Sequence, residues 1–294
     1  MSAPCRCGVG GRKITVKNQQ IDHGRAFDWG RTSPEYAQYR DIYPPEFYRR
    51  LTENGLCIAE QKVLDVGTGT GVLPRNLYPY GASFIGIDSS QNQIDQAVSL
   101  SRTAGMAIEY HCVPAEQIDF PPGTFDVVTA CQCMVYFDHA VLAPMLARGL
   151  RDGSHLVFLY MAWLPDEDPI AGQSEALILK HNPAWTGCGE TRHPITVPAP
   201  YLDFFTVEHE EVFDLSVPFT RESWNGRVKT CRGIGAALSG PEIERFDAEH
   251  RKLLREIAPE QFNILHYAAI TVLRKKRGIL SAQNHDKSPC FREQ

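Results

Sequence analysis

The stretch "VLDVGTGTG", Val63 to Gly71, constrains the fold of this chain more than any other. A short apolar run ends in a carboxylate, a turn built on three alternating glycines follows, and helix-forming residues resume near Leu73. Glycines at Gly67, Gly69 and Gly71 let the backbone turn tightly and let a ligand approach it. Free N–H groups at the next helix start favour an anionic group. The stretch also heads a repeating pattern. Strands read at "KVLDVG", "SFIGID", "AIEYHCVPAE", "FDVVTACQC" and "HLVFLYMAW". Helices read between them at "QNQIDQAVSLSRTAG" and at "HAVLAPMLARGLRDG", the latter expected to end at Gly153. Strands alternating with helices imply an α/β fold with a parallel, doubly wound sheet. The continuous apolar character of the strands fits burial on both faces.

The rest of the chain is organised around this core. Residues 1–25 read as a polar, Gly-rich tail and residues 26–58 as two leading helices. The first starts at Ser33–Pro34, the second restarts at Pro44–Pro45 and stops at Asn54–Gly55. The core itself spans 59–163. After Trp163 the rhythm breaks: residues 164–200 are rich in Pro, Gly, His and Trp, with one helical stretch, "GQSEALILKHN". A segment of that length in a compact domain reads as a cap. A strand then reads at "FFTVEHEEVFDLSVPFT", and a second cap segment, 220–258, holds helices near Arg221–Leu238 and Pro241–Ile257. The last strand is "NILHYAAITVLRKK", the "RKKRG" run at Arg274–Gly278 reads as a solvated strand end, and 279–294 form a second tail. A chain of 294 residues accommodates one such domain, 26–278, with its cap.

Charge and composition narrow the partners. The net charge of -5 gives no general attraction to phosphate backbones, so no nucleic-acid partner is expected. No apolar run approaches the ~20 residues that span a bilayer, and no apolar leader is evident, so a cytoplasmic protein with no membrane partner is expected. The nine cysteines read as reduced thiols. Cys5/Cys7 and Cys131/Cys133 have C-x-C spacing, but structural zinc usually needs four ligands at recognisable spacing, so no metal is expected.

Spacing separates two classes of nucleotide site. Asp88 ends the second strand, where a carboxylate accepts bonds from both ribose hydroxyls. Dinucleotide enzymes prefer G-x-G-x-x-G, with the last glycine packing over a pyrophosphate. Here the spacing is G-x-G-x-G, Val72 stands at the sixth position, and Asp65 precedes the loop. A carboxylate there suits a ligand with an ammonium group. The Tyr-x-x-x-Lys pair that would mark a nicotinamide oxidoreductase is not found.

"VLDVGTGTG", "IGIDSS", "PAEQIDF" and "FDVVTACQCMVYFD" resemble motifs I, post-I, II and IV of class I S-adenosylmethionine-dependent methyltransferases, in that order, over about residues 60–160. "YAQYRDIYPPEFY" resembles the leading segment of the small-molecule methyltransferases of the trans-aconitate and ubiquinone/menaquinone-biosynthesis type. The resemblance implies a Rossmann-like doubly wound seven-stranded sheet, mostly parallel with the last strand antiparallel. It also implies S-adenosylmethionine as donor, S-adenosylhomocysteine as product, a small-molecule acceptor, and a monomer or homodimer.

Its residue roles carry over one by one. Asp65 and the loop Gly67, Thr68, Gly69 and Gly71 would hold the methionine part. Asp88 would take the ribose hydroxyls, with Ser89 beside it. Gln93 stands where relatives often have Met against the adenine. Ala115 and Glu116 would meet the adenine amino edge, and Gln132 would line the methyl end. Tyr39 and Arg40, with Tyr36 one turn away, would close over the donor. On the acceptor side the candidate walls are Tyr136, Phe137, Trp163, Arg192 and Arg232, with Arg192, Arg227 and Arg232 as cations for an acidic acceptor. Relatives often carry His-Trp-Phe after the fourth strand. This chain has Val135-Tyr136-Phe137, which leaves His139, His193 and Tyr136 as candidate catalytic groups. The alternatives are an NAD(P)-dependent oxidoreductase and a donor-binding protein without catalysis.

Overall fold

The computed structural model describes residue 19 and residues 21–278. Seven strands form one sheet: β1 (Lys62–Val66), β2 (Ser83–Asp88), β3 (Glu109–Cys112), β4 (Phe125–Cys131), β5 (Leu150–Trp163), β6 (Phe205–Thr220) and β7 (Gln261–Lys275). Their order is β3-β2-β1-β4-β5-β7-β6. The first five run parallel, and β7 lies antiparallel to both β5 and β6. The expected seven-stranded, mostly parallel sheet with an antiparallel last strand is therefore the one observed.

Nine helices flank the sheet among the described residues: α1 (Ser33–Tyr39), α2 (Pro45–Glu53), α3 (Val72–Leu77), α4 (Gln91–Thr103), α5 (His139–Gly149), α6 (Pro169–His181), α7 (Ala199–Leu202), α8 (Arg221–Lys229) and α9 (Gly240–Ile257). Period-two alternation along β1 sends Val63 to one face and Leu64 to the other, and both are fully buried. On the Val63 face the core is closed by Phe47 and Leu51 of α2, Leu77 of α3, Ile178 of α6, Trp224 of α8 and Phe246 of α9. On the Leu64 face it is closed by Leu142 and Leu146 of α5 and Tyr201 of α7. No described helix is long and apolar enough to cross a membrane.

Several expected boundaries are corrected. The helix after β4 stops at Gly149 rather than Gly153, because Leu150 already pairs with Phe125 and Gly153 falls within β5. The third strand ends at Cys112, and Ala115–Gln117 form a 3-10 turn behind Pro114. The helix expected over Arg221–Leu238 breaks at Thr230, whose hydroxyl turns back to the Arg227 carbonyl at 3.0 Å, and resumes as a π-helical turn, Arg232–Ala236. Ile21 and Asp22 are buried, within the stretch expected as a tail to residue 25. The basic run at 274–278 is a solvated strand end at Arg274, Arg277 and Gly278, but Lys275 within it is buried, with Nζ 2.7 Å from the Leu150 carbonyl and 3.2 Å from Asp152.

The cap helices are tied by buried polar groups. Trp224 Nε1 donates to Ser174 Oγ at 2.9 Å, and His250 Nε2 meets the same hydroxyl at 3.0 Å. His250 Nδ1 lies 2.8 Å from Asn225 Oδ1, and Asn225 donates to Asp247 at 2.7 Å. Because Asn225 Oδ1 only accepts, the imidazole carries its proton on Nδ1. Burial pushes His250 down to about 4. The unfolded chain therefore binds this proton first as pH falls. The stability that neutral His250 allows is complete above pH 6.5 and drains towards pH 4, by up to about 3 kcal/mol. Urea unfolding of His250→Gln should show a shallower loss of stability over that window than the parent chain. An unchanged slope would contradict the assignment.

Candidate active site

Asp65 is the penultimate residue of β1 and is 2% exposed. Thr129 of β4 donates to its Oδ1 at 2.7 Å. Burial pushes the Asp65 carboxyl up to about 6, the Thr129 and Thr68 hydroxyls pull it down, and the Asp88 charge raises it further. The chain then turns through Gly67, Gly69 and Gly71, all with positive φ (68°, 56° and 74°), a conformation that favours glycine. At Gly67 a Cβ would come within 2.8 Å of Cys133 Cβ, so the loop lies against the β4 exit. At Gly69 the space is open; the nearest atom to a Cβ there would be Gln93 Oε1, at 4.0 Å.

Asp88 ends β2 beside this loop. Its Oδ2 accepts from Gly69 N at 3.0 Å and its Oδ1 from Ser90 N at 2.8 Å. Burial raises its pKa, while the Ser90, Gly69 and Ser89 amides oppose the rise. Gln93, in the first turn of α4, is 3% exposed and reaches the Trp29 carbonyl with Nε2 at 3.4 Å. Ala115 is buried in the turn after β3. Glu116 next to it is tied back by Asp138 N, at 2.9 Å from Oε1. Gln132 leaves β4 with φ 62°, a left-handed conformation sparsely populated by non-glycine residues and often found at functional sites. Its N–H donates to the Leu159 carbonyl at 2.9 Å and its amide to the Met161 carbonyl. The sequence-derived donor set, apart from Tyr39, thus converges on the carboxyl ends of β1, β2 and β4 and the leading segment facing them.

Tyr39 is elsewhere. Its ring lies on Gly226 of α8, where any Cβ would collide with it, and its hydroxyl donates to Glu222 at 3.3 Å. Arg40 instead turns inward over the Trp29 ring, 5.9 Å from its centroid, and its charge acts on Cys131 and Cys231. The side chain of Tyr36 lies outside the described residues. A strap formed by residues 21–29 crosses the tips of the sheet. Phe27 is 6.1 Å from Trp29, 5.9 Å from Tyr136, and under Arg232 at 5.8 Å. Asp22 locks the strap in place: it takes Arg232 Nε at 2.9 Å, Arg232 Nη2 at 3.1 Å and Thr186 N at 2.8 Å.

The acceptor-side candidates divide. Tyr136 and Arg232 sit together under the strap. Trp163 is held by Glu175 at 2.8 Å and covered by Arg227 at 4.8 Å, at the end of β5. Arg192 is held instead by Asp214 at 2.6 Å and by Glu167. His139 lies at the first turn of α5, with Nδ1 3.4 Å from the Tyr201 hydroxyl, and burial lowers its pKa. His193 pairs with Glu190 at 2.8 Å. Burial lowers its pKa, but the Pro194 carbonyl and Glu190 raise it above the usual value on balance. Glu190 also accepts from Tyr160 at 3.1 Å and Tyr267 at 2.6 Å. Asp22, Thr186 and Glu190 were not anticipated; no local spacing links Asp22 to a partner 210 residues away. The described cysteines, Cys57, Cys112, Cys131, Cys133, Cys188 and Cys231, are free thiols, and no metal-ligating cluster occurs among the described residues. Cys5 and Cys7 lie outside them.

Within the loop, Thr68 N and Gly71 N are bonded to the Ile87 and Thr68 carbonyls and Gly69 N to Asp88, while the side of Gly69 towards Gln93 is open. Residues 63–153 match the family described as methyltransferase domain. The chain is 34% identical over 135 residues to the ubiquinone biosynthesis O-methyltransferase of Ralstonia nicotianae, covering 45% of this chain and 56% of that protein. It is 31% identical over 152 residues to its counterpart from Pseudoalteromonas translucida, covering 49% and 64%. The first relatives are matched over about half their length. In structure the chain is similar to a proposed type II methyltransferase from Anaeromyxobacter dehalogenans, with TM-score 0.53, 21% identity, and 80% and 97% of the two chains covered. It is also similar to the [4+2]-cyclase SpnF, with TM-score 0.52, 17% identity, and 85% and 95% covered. The shared fold alone does not fix the reaction.

Because the folded state holds Asp65 near 6, its ionisation opposes folding above that pH, and the favourable contribution of the protonated group is complete only below the unfolded value near 4. Asp65→Asn keeps an acceptor for Thr129 and removes the buried charge. Urea unfolding at pH 8 should show the variant more stable by up to about 3 kcal/mol. Equal or lower stability would contradict this reading.

Proposed function

We propose that this chain, whose residues 63–153 match a methyltransferase domain family, is a class I S-adenosylmethionine-dependent methyltransferase acting on a small molecule. The observation that carries the proposal is the pairing of a buried carboxylate, Asp65, with the left-handed Gly67–Gly71 loop and the loop-bound Asp88. The donor, when bound, supplies a methyl group already activated on a sulfonium. The protein is then left with alignment and exclusion of water. In this proposal Asp65 holds the ammonium, Asp88 the ribose hydroxyls, and Ala115 with Glu116 border the base. Gln132, fixed by Met161, borders the reacting end. The strap over Tyr136 and Arg232 shuts out water, and Trp163 with Arg227 forms the far wall for the acceptor.

The Tyr160–Glu190–His193 chain offers a route to solvent for a proton, which an acceptor such as a phenol or amine has to lose and a carboxylate does not. The net charge and the enclosed strand tips favour a small acceptor over nucleic acid or membrane, and a cytoplasmic setting belongs to the same proposal.

Calorimetric titration of S-adenosylmethionine, S-adenosylhomocysteine and NADH into the wild-type protein and Asp88→Ala tests the donor site. Micromolar binding of both sulfur ligands is expected, weakened by ~1–3 kcal/mol in the variant through loss of hydrogen bonds to a charged group. Binding should also weaken as pH falls below about 6, where Asp65 takes a proton. Binding of NADH alone would overturn the proposal in favour of an oxidoreductase. Donor binding without methyl transfer to any acceptor would favour a non-catalytic donor-binding protein.

A further inference from the structure

We propose that Gln93 couples the donor site to the strap by dividing its amide between them. Its side chain is 3% exposed. The contact to the Trp29 carbonyl at 3.4 Å has to be made by the NH2 group, because a backbone carbonyl only accepts. The amide oxygen therefore faces the other way. It is buried without a hydrogen-bond partner, and it is the nearest atom to the open side of Gly69. A buried acceptor left unmatched is costly, and such groups are normally satisfied. Here the missing partner is an O–H or N–H of the nucleoside that the proposed donor site takes, so the inference rests on that reading.

The coupling runs through named contacts. Gln93 holds Trp29; Trp29 carries Arg40 on its ring and meets Phe27; Phe27 meets Tyr136 and Arg232. A ligand that engages the amide oxygen orients the amide and with it the strap contact. By linkage, the strap contact favours the ligand by the same factor. Gln93 is thus a positioning residue that makes closure of the acceptor wall depend on donor occupancy. A methionine or leucine at this position would keep the bulk and lose both ends of the link.

The test uses S-adenosylhomocysteine with the full chain, comparing wild type, Gln93→Met and Gln93→Leu. Calorimetry reads affinity, and limited trypsin digestion reads the strap through cleavage after Arg25 and Arg31. Affinity should fall about tenfold in both variants, the equivalent of one hydrogen bond. Ligand-free thermal midpoints should be unchanged or higher, since an unmatched buried acceptor is gone. The ligand should slow strap cleavage in wild type and not in the variants at saturation. Equal affinity and equal protection in the variants would overturn the inference while leaving the donor site standing. A lowered midpoint with unchanged affinity would reduce Gln93 to a structural part. Failure of wild type to bind would overturn the donor site, and this inference with it.

Discussion

One hydrogen bond, from Thr129 to Asp65, crosses the sheet where the strand order reverses. From β1 the chain winds outward to β2 and β3, then returns to lay β4 on the other side of β1. The loops leaving β1 and β4 meet above this junction, where Gly67 lies against Cys133, and ligands of open α/β sheets bind at the carboxyl ends of such a reversal. A carboxylate buried at that point is costly without a partner. Thr129 supplies one hydrogen bond and leaves the rest of its capacity to whatever binds there. The glycine loop, the Asp88 carboxylate that anchors it and the Gln93 amide beyond are all placed by this junction.

The second constraint is closure. The strap near the N-terminal end of the described chain meets the cap through Asp22, Thr186 and Arg232, which are far apart in sequence. An ion pair this buried gains little net energy, because desolvation offsets attraction, but removing one partner leaves a charge stranded at a cost of about 3–5 kcal/mol. Its effect is positional. Asp22 and His23 adopt positive φ to make the contact, a strain that the surrounding hydrogen bonds offset. Arg232 is thereby pre-aimed beside Tyr136, and Phe27 packs against both. The proposed acceptor side is defined by distant segments brought together rather than by any single motif.

This difference explains what was legible in the sequence. Asp65, the three glycines, Asp88 and Gln132 lie at strand ends, and strand ends follow from hydrophobic runs and turn residues a few positions apart. The sheet and its antiparallel last strand follow from the same local signals and from the family resemblance. Tyr39 and Arg40 are adjacent, and sequence could not tell that one packs on Gly226 and the other turns inward. Arg192 reads as a cation for a ligand but is neutralised by Asp214 of β6 and by Glu167, contacts between separate segments that spacing does not disclose. Glu190 gathers Tyr160, Tyr267 and His193 from three segments, so no window of sequence contains the cluster. The π-helical turn at Arg232–Ala236 replaces an expected helix because Thr230 turns back on its own backbone.

The most direct test of the central claim is a crystal structure of the protein with S-adenosylhomocysteine. The account predicts the amino group of the ligand on Asp65, its ribose hydroxyls on Asp88 and its body over the open side of Gly69. A ligand seated elsewhere, or with its ammonium away from Asp65, would contradict it.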